Sequence, residues 1–243
     1  YQLNENGVVT TRGETPSDYT TDFEAQKAQE FILSRQNNPE PFFLWLTPNA
    51  PHTSVSATQP GSNANYPATP APRHIGIYVS LPLPQLPNFN EADVSDKPAF
   101  VQNIPLMTAD EITAQTDRYR RSREALLAVD DLVEIVINAL QNTGKLDNTY
   151  IFYTSDNGLT DGEHRKFWSK QVVYEESVRA PLLVRGPGVT QNQTRTQLVN
   201  NLDVVATVEE LANVNPGRAA DGRSLVSLFQ DPNSPWRTAL LIQ

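Results

Sequence analysis

The sequence contains no cysteine, which excludes disulfides, thiolate metal sites and a cysteine nucleophile within its 243 residues. Basic residues are also scarce, since 19 lysines and arginines stand against 28 aspartates and glutamates, a formal net charge of -9. This balance disfavours a nucleic-acid backbone or an anionic lipid surface as a partner. No apolar run is long enough to span a bilayer. An anionic substrate would therefore need a local group of cations.

What remains is an alternation of apolar strands and amphipathic helices. It predicts an α/β fold with a mostly parallel central sheet and helices on both faces. Only about four strands are visible, so we expect the fold to be incomplete at the N-terminus and also at the C-terminus. The predicted strands cover 41–46, 149–155, 180–188 and 238–242, and the predicted helices cover 22–35, 110–143 and 203–212.

A proline-rich segment from about 54 to 110 interrupts this alternation. A long stretch without periodicity inside a compact domain is typical of a binding loop or an insertion. No linker long enough to demand two domains follows it. We therefore expect residues 1–243 to form one partial catalytic domain that carries an insertion at about 54–110.

Polar side chains follow two of the predicted strands directly. His52 comes after the strand at 41–46, and Asp156 and Asn157 come after the strand at 149–155. Ligands of open α/β sheets bind at the carboxyl ends of strands, and carboxylate and amide oxygens suit Ca²⁺ or Mg²⁺. Two such ligands do not complete a site for either ion. Asp-Asn-Gly by itself is equally typical of a turn that ends a strand.

Several segments together resemble the sulfatase family of the alkaline phosphatase superfamily. The resemblance is carried by "PFFLWLTPNAPH", by "YTSDNG" with the following "GEHRKFWSK", and by "YEESVRAPLLVRGPG". The middle stretch "APRHIG...PNFNEADVSDKPAF" is most similar to the branch that contains N-acetylglucosamine-6-sulfatases and bacterial arylsulfatases. The resemblance implies hydrolysis of a sulfate ester, with an aryl sulfate or a sulfated sugar as substrate.

The resemblance also implies roles for individual residues. Asp156 and Asn157 match ligands of a divalent cation, most often Ca²⁺, and His52 matches a histidine that contacts the sulfate ester. Lys170 matches a lysine that holds sulfate oxygens. A metal, a lysine and an imidazole would stabilise the charge that develops on the sulfuryl and leaving oxygens. His164 is expected either to bind substrate or to hold its loop.

Other titratable residues favour structural interpretations. His74 lies in the proline-rich segment and is expected to pack the loop. Asp130 and Asp131 lie in the long predicted helix, and we expect both on its solvated face. Three charged residues before the strand at 180–188 are expected to form a structural network: Glu175, Glu176 and Arg179.

The nucleophile that the family uses is missing from this sequence. Sulfatases use a formylglycine made from the first residue of a Cys- or Ser-x-Pro-x-Arg motif, and the nearest match, 80–84, has proline in place of arginine. We expect this residue and further metal ligands in an N-terminal segment upstream of Tyr1, and this chain alone to be inactive. The alternatives are a phosphodiesterase or phosphonate monoester hydrolase of the same superfamily, and a non-catalytic protein that retains the fold.

Overall fold

A computed structural model describes residues 1–53, 67–167 and 169–242. The chain divides into two compact units. The N-terminal unit comprises 1–146 and 160–169, and the C-terminal unit comprises 147–159 and 170–243. The first part of the predicted insertion, 54–66, lies outside the described residues. The expectation of one partial catalytic domain stays a prediction.

The N-terminal unit begins with a β-hairpin that the sequence reading missed. Strands β1 (Gln2–Glu5) and β2 (Val8–Thr11) pair antiparallel. Asn6 and Gly7, with φ of 52° and 90°, form the turn between them. Two consecutive positive φ angles are the requirement of the tightest hairpin turns, and Asn-Gly meets that requirement best. The Asn-Gly pair that predicts such a turn is visible in the sequence. The polar residues around it do not by themselves predict strands.

Two helices form the core of the N-terminal unit. Helix α1 (Thr20–Ser34) packs against the long helix α3 (Ala109–Asn142), while a short helix α2 (Ala99–Gln102) precedes α3. Small and branched apolar side chains allow the two long helices to approach closely, and these residues are almost fully buried: Ala25, Ala28, Ile32, Ala125, Ala128, Leu132 and Leu140. At the start of α3, Thr108 and Glu111 form a reciprocal capping box, which satisfies backbone N–H groups at the helix start.

Ion pairs attach the described part of the insertion to these helices. The guanidinium of Arg73 donates to Asp22 on α1 at 2.7 Å and to Asp131 on α3 at 2.6 Å. His74 Nε2 lies 2.8 Å from the same Asp131 carboxylate, so the loop-packing role predicted for His74 is confirmed. The solvated role predicted for Asp131 is wrong, whereas Asp130 is exposed as expected. The sequence predicts Asp22 as the N-cap of the helix at 22–35, but Asp22 lies within α1 and binds Arg73 instead.

The C-terminal unit contains a small sheet and three helices. Strands β3 (Ile151–Thr154) and β4 (Leu182–Arg185) pair antiparallel. Helices α4 (Glu175–Val178), α5 (Asn201–Leu211) and α6 (Val226–Gln230) complete the unit. Leu225, Leu228 and Phe229 form its core, against which aromatic and aliphatic residues of the sheet region pack: Tyr150, Phe152, Leu182 and Val184.

Two predicted strands do not pair in the structure. In the part of the chain that the structure describes, 41–46 and 238–242 belong to no sheet, and the two strand pairs present are both antiparallel. Residues 41–46 leave Phe43 68% and Trp45 79% exposed. Strand pairing is a non-local property, and a run of apolar residues specifies an extended backbone without specifying its neighbour. Among the described residues, no helix has the length and apolar character needed to cross a bilayer.

Candidate functional site

Strand β3 ends in a turn that presents the oxygens of Asp156. Asp156 Oδ1 accepts the backbone N–H of Asn157 at 3.0 Å and the hydroxyl of Ser155 at 3.3 Å. The Ser155 hydroxyl also lies 2.9 Å from the carbonyl oxygen of Asn157. Within the described residues, Asp156 Oδ2 has no hydrogen-bond partner, and the side chain is exposed. One carboxylate oxygen is thus fixed by the turn while the other faces solvent.

The backbone of this turn is held by two helices of the C-terminal unit. Gly158 N donates to the carbonyl oxygen of Ser177 on α4 at 2.8 Å. A Cβ on Gly158 would overlap the carbonyl oxygen of Glu176, so this close approach requires glycine. From α5, Asn201 Nδ2 donates to the carbonyl oxygen of Ser155 at 3.1 Å. The position of the turn therefore depends on α4 and α5.

Lys170 joins the same group of side chains. Its Nζ lies 3.5 Å from Asn157 Oδ1, while Asn157 Nδ2 donates to the carbonyl oxygen of Gly158 at 2.8 Å. That donation orients the amide oxygen of Asn157 toward the lysine. Three of the predicted site residues, Asp156, Asn157 and Lys170, are thus brought together in the C-terminal unit.

The oxygens of Asp156 and Asn157 fit a hard divalent cation in kind but not in number. Ca²⁺ takes about six to eight oxygen ligands and Mg²⁺ takes about six. Among the described residues there is no group of three or more His, Asp or Glu side chains that could hold a metal. A cation bound here would therefore need further ligands from outside the described residues or from water.

His52 belongs to the N-terminal unit, where a turn fixes its backbone. Its N–H donates to the carbonyl oxygen of Asn49 at 2.8 Å. The ring Nδ1 lies 3.2 Å from the carbonyl oxygen of Thr53 and 3.3 Å from its hydroxyl. The imidazole is exposed, and among the described residues its Nε2 has no hydrogen-bond partner. This geometry leaves Nε2 available for a proton transfer.

His164 also belongs to the N-terminal unit, where it is only 8% exposed. Its Nδ1 lies 3.0 Å from Glu91 Oε2, and its N–H donates to the carbonyl oxygen of Asn88 at 2.8 Å. Its φ is 54°, in the left-handed region. These contacts favour the loop-holding role over direct substrate contact, and substrate binding by His164 stays a prediction.

The segment 160–169 contains a largely buried acid that sequence reasoning missed. Asp161 Oδ1 accepts a hydrogen bond from Gln115 Nε2 at 2.9 Å, and Arg123 lies 4.0 Å from Oδ2. Burial raises the pKa of Asp161 to about 6, against the opposing attraction of Arg123. Neighbouring Glu163 adds repulsion that raises the pKa further. Gln115 is fully buried on α3, and a polar residue on the apolar stripe of that helix was the one available sequence signal.

Two of the three charged residues that were expected to form a network near α4 form an ion pair. Arg179 Nη1 lies 3.8 Å from Glu175 Oε2, one helical turn away. Both side chains are about four-fifths exposed, at 81% and 78%. Exposed pairs of this kind contribute little stability, about 0–1 kcal/mol.

Mixed strands and helices, with a turn at the end of β3 that groups Asp156, Asn157 and Lys170, define the chain as an α/β protein. The sequence model of the sulfatase family matches residues 2–214. The chain belongs to the sulfatase family. It is 35% identical to human N-acetylglucosamine-6-sulfatase over 100% of this chain and 42% of that protein. It is 36% identical to an arylsulfatase of Volvox carteri over 86% of this chain and 35% of that protein. The chain thus spans less than half of these relatives.

Solved structures confirm the α/β fold class. A protein solved in complex with its substrate, D-glucosamine-2-N,6-O-disulfate, superposes with a TM-score of 0.73 at 23% identity. The superposition covers 97% of this chain and 57% of that protein. A phosphonate monoester hydrolase from Silicibacter pomeroyi superposes with a TM-score of 0.62 at 21% identity, covering 96% of this chain and 45% of the hydrolase. At these identities the likeness establishes the fold alone.

Proposed function

We propose that the protein containing this chain hydrolyses sulfate esters of carbohydrates or of aryl alcohols. The observation that carries the proposal is the turn after β3, where the open Oδ2 of Asp156 and the amide oxygen of Asn157 lie with the ammonium of Lys170. A sulfate ester carries negative charge on the oxygens that this group would face. The names of the relatives support the substrate class.

The residues divide the work according to their chemistry. The Lys170 ammonium would hold sulfuryl oxygens, where negative charge increases in the transition state. The imidazole of His52 would give a proton to the leaving oxygen, as the family resemblance implies, since an alkoxide leaves poorly without one. Asp156 and Asn157 would bind a divalent cation. This cation, which we propose to be Ca²⁺, would neutralise charge on the sulfate.

The nucleophile must come from outside these 243 residues, because they contain neither cysteine nor a Ser-x-Pro-x-Arg sequence. We propose a formylglycine upstream of Tyr1, as the family resemblance implies. Additional metal ligands from the same segment would complete the oxygen set that Asp156 and Asn157 begin. On this proposal the isolated chain binds sulfate esters weakly and does not cleave them.

The test is steady-state hydrolysis of 4-nitrophenyl sulfate and of N-acetylglucosamine 6-sulfate by the complete protein. Lys170→Met should lower kcat/KM by about 10²–10³, because one charged donor to the transition state is lost. Asp156→Ala should lower it at least as much and weaken Ca²⁺ binding in a direct titration. Asp130→Asn, an exposed carboxylate on α3, is the matched control and should leave both unchanged. Full activity in the first two variants would refute the proposal.

Phosphonate or phosphate ester hydrolysis is the second candidate, favoured by the structural likeness to the phosphonate monoester hydrolase. Both ester classes present tetrahedral anions, so the same cations would serve either. The ratio of kcat/KM for 4-nitrophenyl sulfate and for 4-nitrophenyl phenylphosphonate distinguishes them. A ratio above one supports sulfate hydrolysis, and a ratio well below one supports the alternative. No hydrolysis of either would favour a non-catalytic protein that retains the fold.

A further inference from the structure

A loop of the C-terminal unit carries the only Asn-x-Ser/Thr triplet of the sequence, Asn192-Gln193-Thr194. Such a triplet is the acceptor sequence for N-linked glycosylation, provided that its middle residue is not proline. A triplet alone is weak evidence, because many such triplets arise by chance. The acceptor amide and the threonine hydroxyl must also be accessible, and the structure shows whether they are.

Contacts with the region of α6 hold both ends of this loop. On one side, Thr190 N donates to the carbonyl oxygen of Phe229 at 3.1 Å. On the other side, Arg195 Nε donates to the carbonyl oxygen of Leu228 at 2.8 Å. All the residues between these two anchors, 191–194, are exposed. The triplet therefore lies at the tip of a loop with a fixed base, where an attached glycan can extend into solvent.

The two groups that the modification needs are not engaged by the protein. Within the part of the chain that the structure describes, neither the side-chain amide of Asn192 nor the hydroxyl of Thr194 has a hydrogen-bond partner. Thr194 accepts a hydrogen bond from Arg195 Nη1 at 3.4 Å, but it does so through its backbone carbonyl oxygen. Both side chains are thus accessible to an enzyme that recognises the triplet.

The backbone explains the asparagine at 192 but not the threonine at 194. Asn192 has φ of 53°, in the left-handed region that asparagine tolerates better than most other residues. The turn by itself would accept many residues at 194, because the exposed Thr194 side chain makes no hydrogen bond to any described residue. Glycosylation accounts for both residues together.

We infer that Asn192 is an N-glycosylation site whose co-reactant is a lipid-linked oligosaccharyl diphosphate. The amide Nδ2 forms a bond to the anomeric carbon of the sugar while the bond from that carbon to the diphosphate oxygen breaks. The diphosphate leaves with the electron pair of that bond, and the amide loses one proton. The inference goes beyond ester hydrolysis, since Asn192 is not one of the proposed catalytic residues. It places the protein during its synthesis in the compartment that contains this donor.

The experiment is peptide mapping of the complete protein and its variants, produced in the cells that naturally make it. Trypsin cuts after Arg185 and Arg195, so Asn192 is the only asparagine in the peptide 186–195. Peptide:N-glycosidase in heavy-oxygen water converts a glycosylated asparagine to isotope-labelled aspartate. The label should appear in the wild type and in Thr194→Ser, which keeps the hydroxyl. It should fall to background in Thr194→Ala, which leaves Asn192 and its backbone in place.

Asn213→Gln is the matched control. Asn213 is also an exposed asparagine of the C-terminal unit with φ of 51°, but the residue two positions later is Asn215. The label in the peptide 186–195 should therefore be unchanged in this variant. An unlabelled peptide from the wild type overturns the inference. A label that persists in Thr194→Ala also overturns it, because the modification would then not depend on the triplet.

Discussion

Replacing Asp161 by asparagine should stabilise the protein at neutral pH. Asp161 is largely buried beside α3, with its side chain 19% exposed. It accepts a hydrogen bond from Gln115, and its pKa is raised to about 6 chiefly by burial. An amide of the same shape keeps the oxygen that Gln115 Nε2 binds. It removes the buried charge that the carboxyl acquires above its pKa.

The magnitude follows from the difference between the folded and unfolded pKa values. The ordinary pKa of the carboxyl is 3.8 and its pKa in the folded protein is about 6. Each unit of pKa difference corresponds to about 1.4 kcal/mol. A carboxyl with a raised pKa binds its proton more tightly in the folded state. The free energy of unfolding therefore falls as pH rises from about 4 to 6, by an upper limit of about 3 kcal/mol, and then stays level.

The assay is urea unfolding of the complete protein and of Asp161→Asn at intervals from pH 4 to pH 8. The variant should match the wild type near pH 4 and exceed it by about 1–3 kcal/mol above pH 6.5, after allowance for the ion pair lost with Arg123. Asp130→Asn controls for the removal of a charge from the surface. A difference that does not vary with pH, or a variant less stable at pH 8, would show that the Asp161 carboxylate is well accommodated.

Three further substitutions test other parts of the structure. Glu24→Gln should stabilise the protein above pH 7 and not at pH 4, because burial raises the pKa of Glu24 to about 7; thermal unfolding at both values checks this. Gly158→Ala should weaken the proposed Ca²⁺ binding, measured by calorimetry, since its Cβ would displace the turn from the Glu176 carbonyl. Asp203→Ala should cost about 3–5 kcal/mol in urea unfolding, because it leaves the bidentate Arg237 without its fully buried partner; a loss below 1 kcal/mol would contradict this.

The sequence predicted local structure better than pairing. The helix from Ala109 to Asn142 follows from its apolar spacing. Gly144, with φ of 70°, comes directly after the C-cap, where glycine commonly ends a helix. The start of α1 was misplaced because Asp22, a good capping residue, instead binds Arg73. Capping and ion pairing draw on the same carboxylate, and only the fold decides between them.

The candidate site was predicted only in part, because sequence patterns predict local structure better than contacts between distant residues. Asp156 and Asn157 follow a strand directly, so their meeting depends on neighbouring residues, while the approach of Lys170 follows from the family resemblance. Asp161 was missed because its perturbed pKa depends on burial against Gln115, forty-six positions away in the sequence. Burial of this kind arises from tertiary packing and leaves little trace in local composition.

The exposed aromatic segment 41–46 bears on how the chain behaves during expression. It is a six-residue run without charge, with Phe43 and Trp45 facing outward and no backbone hydrogen bonds within the described residues. Such runs template intermolecular strand pairing and fibril growth. Pro39 and Glu40 stand immediately before it and Pro41 is its first residue, and these three residues act as gatekeepers against that association. We therefore expect the yield of soluble protein to depend on whether 41–46 is covered by another strand before it pairs with the same segment of a second copy.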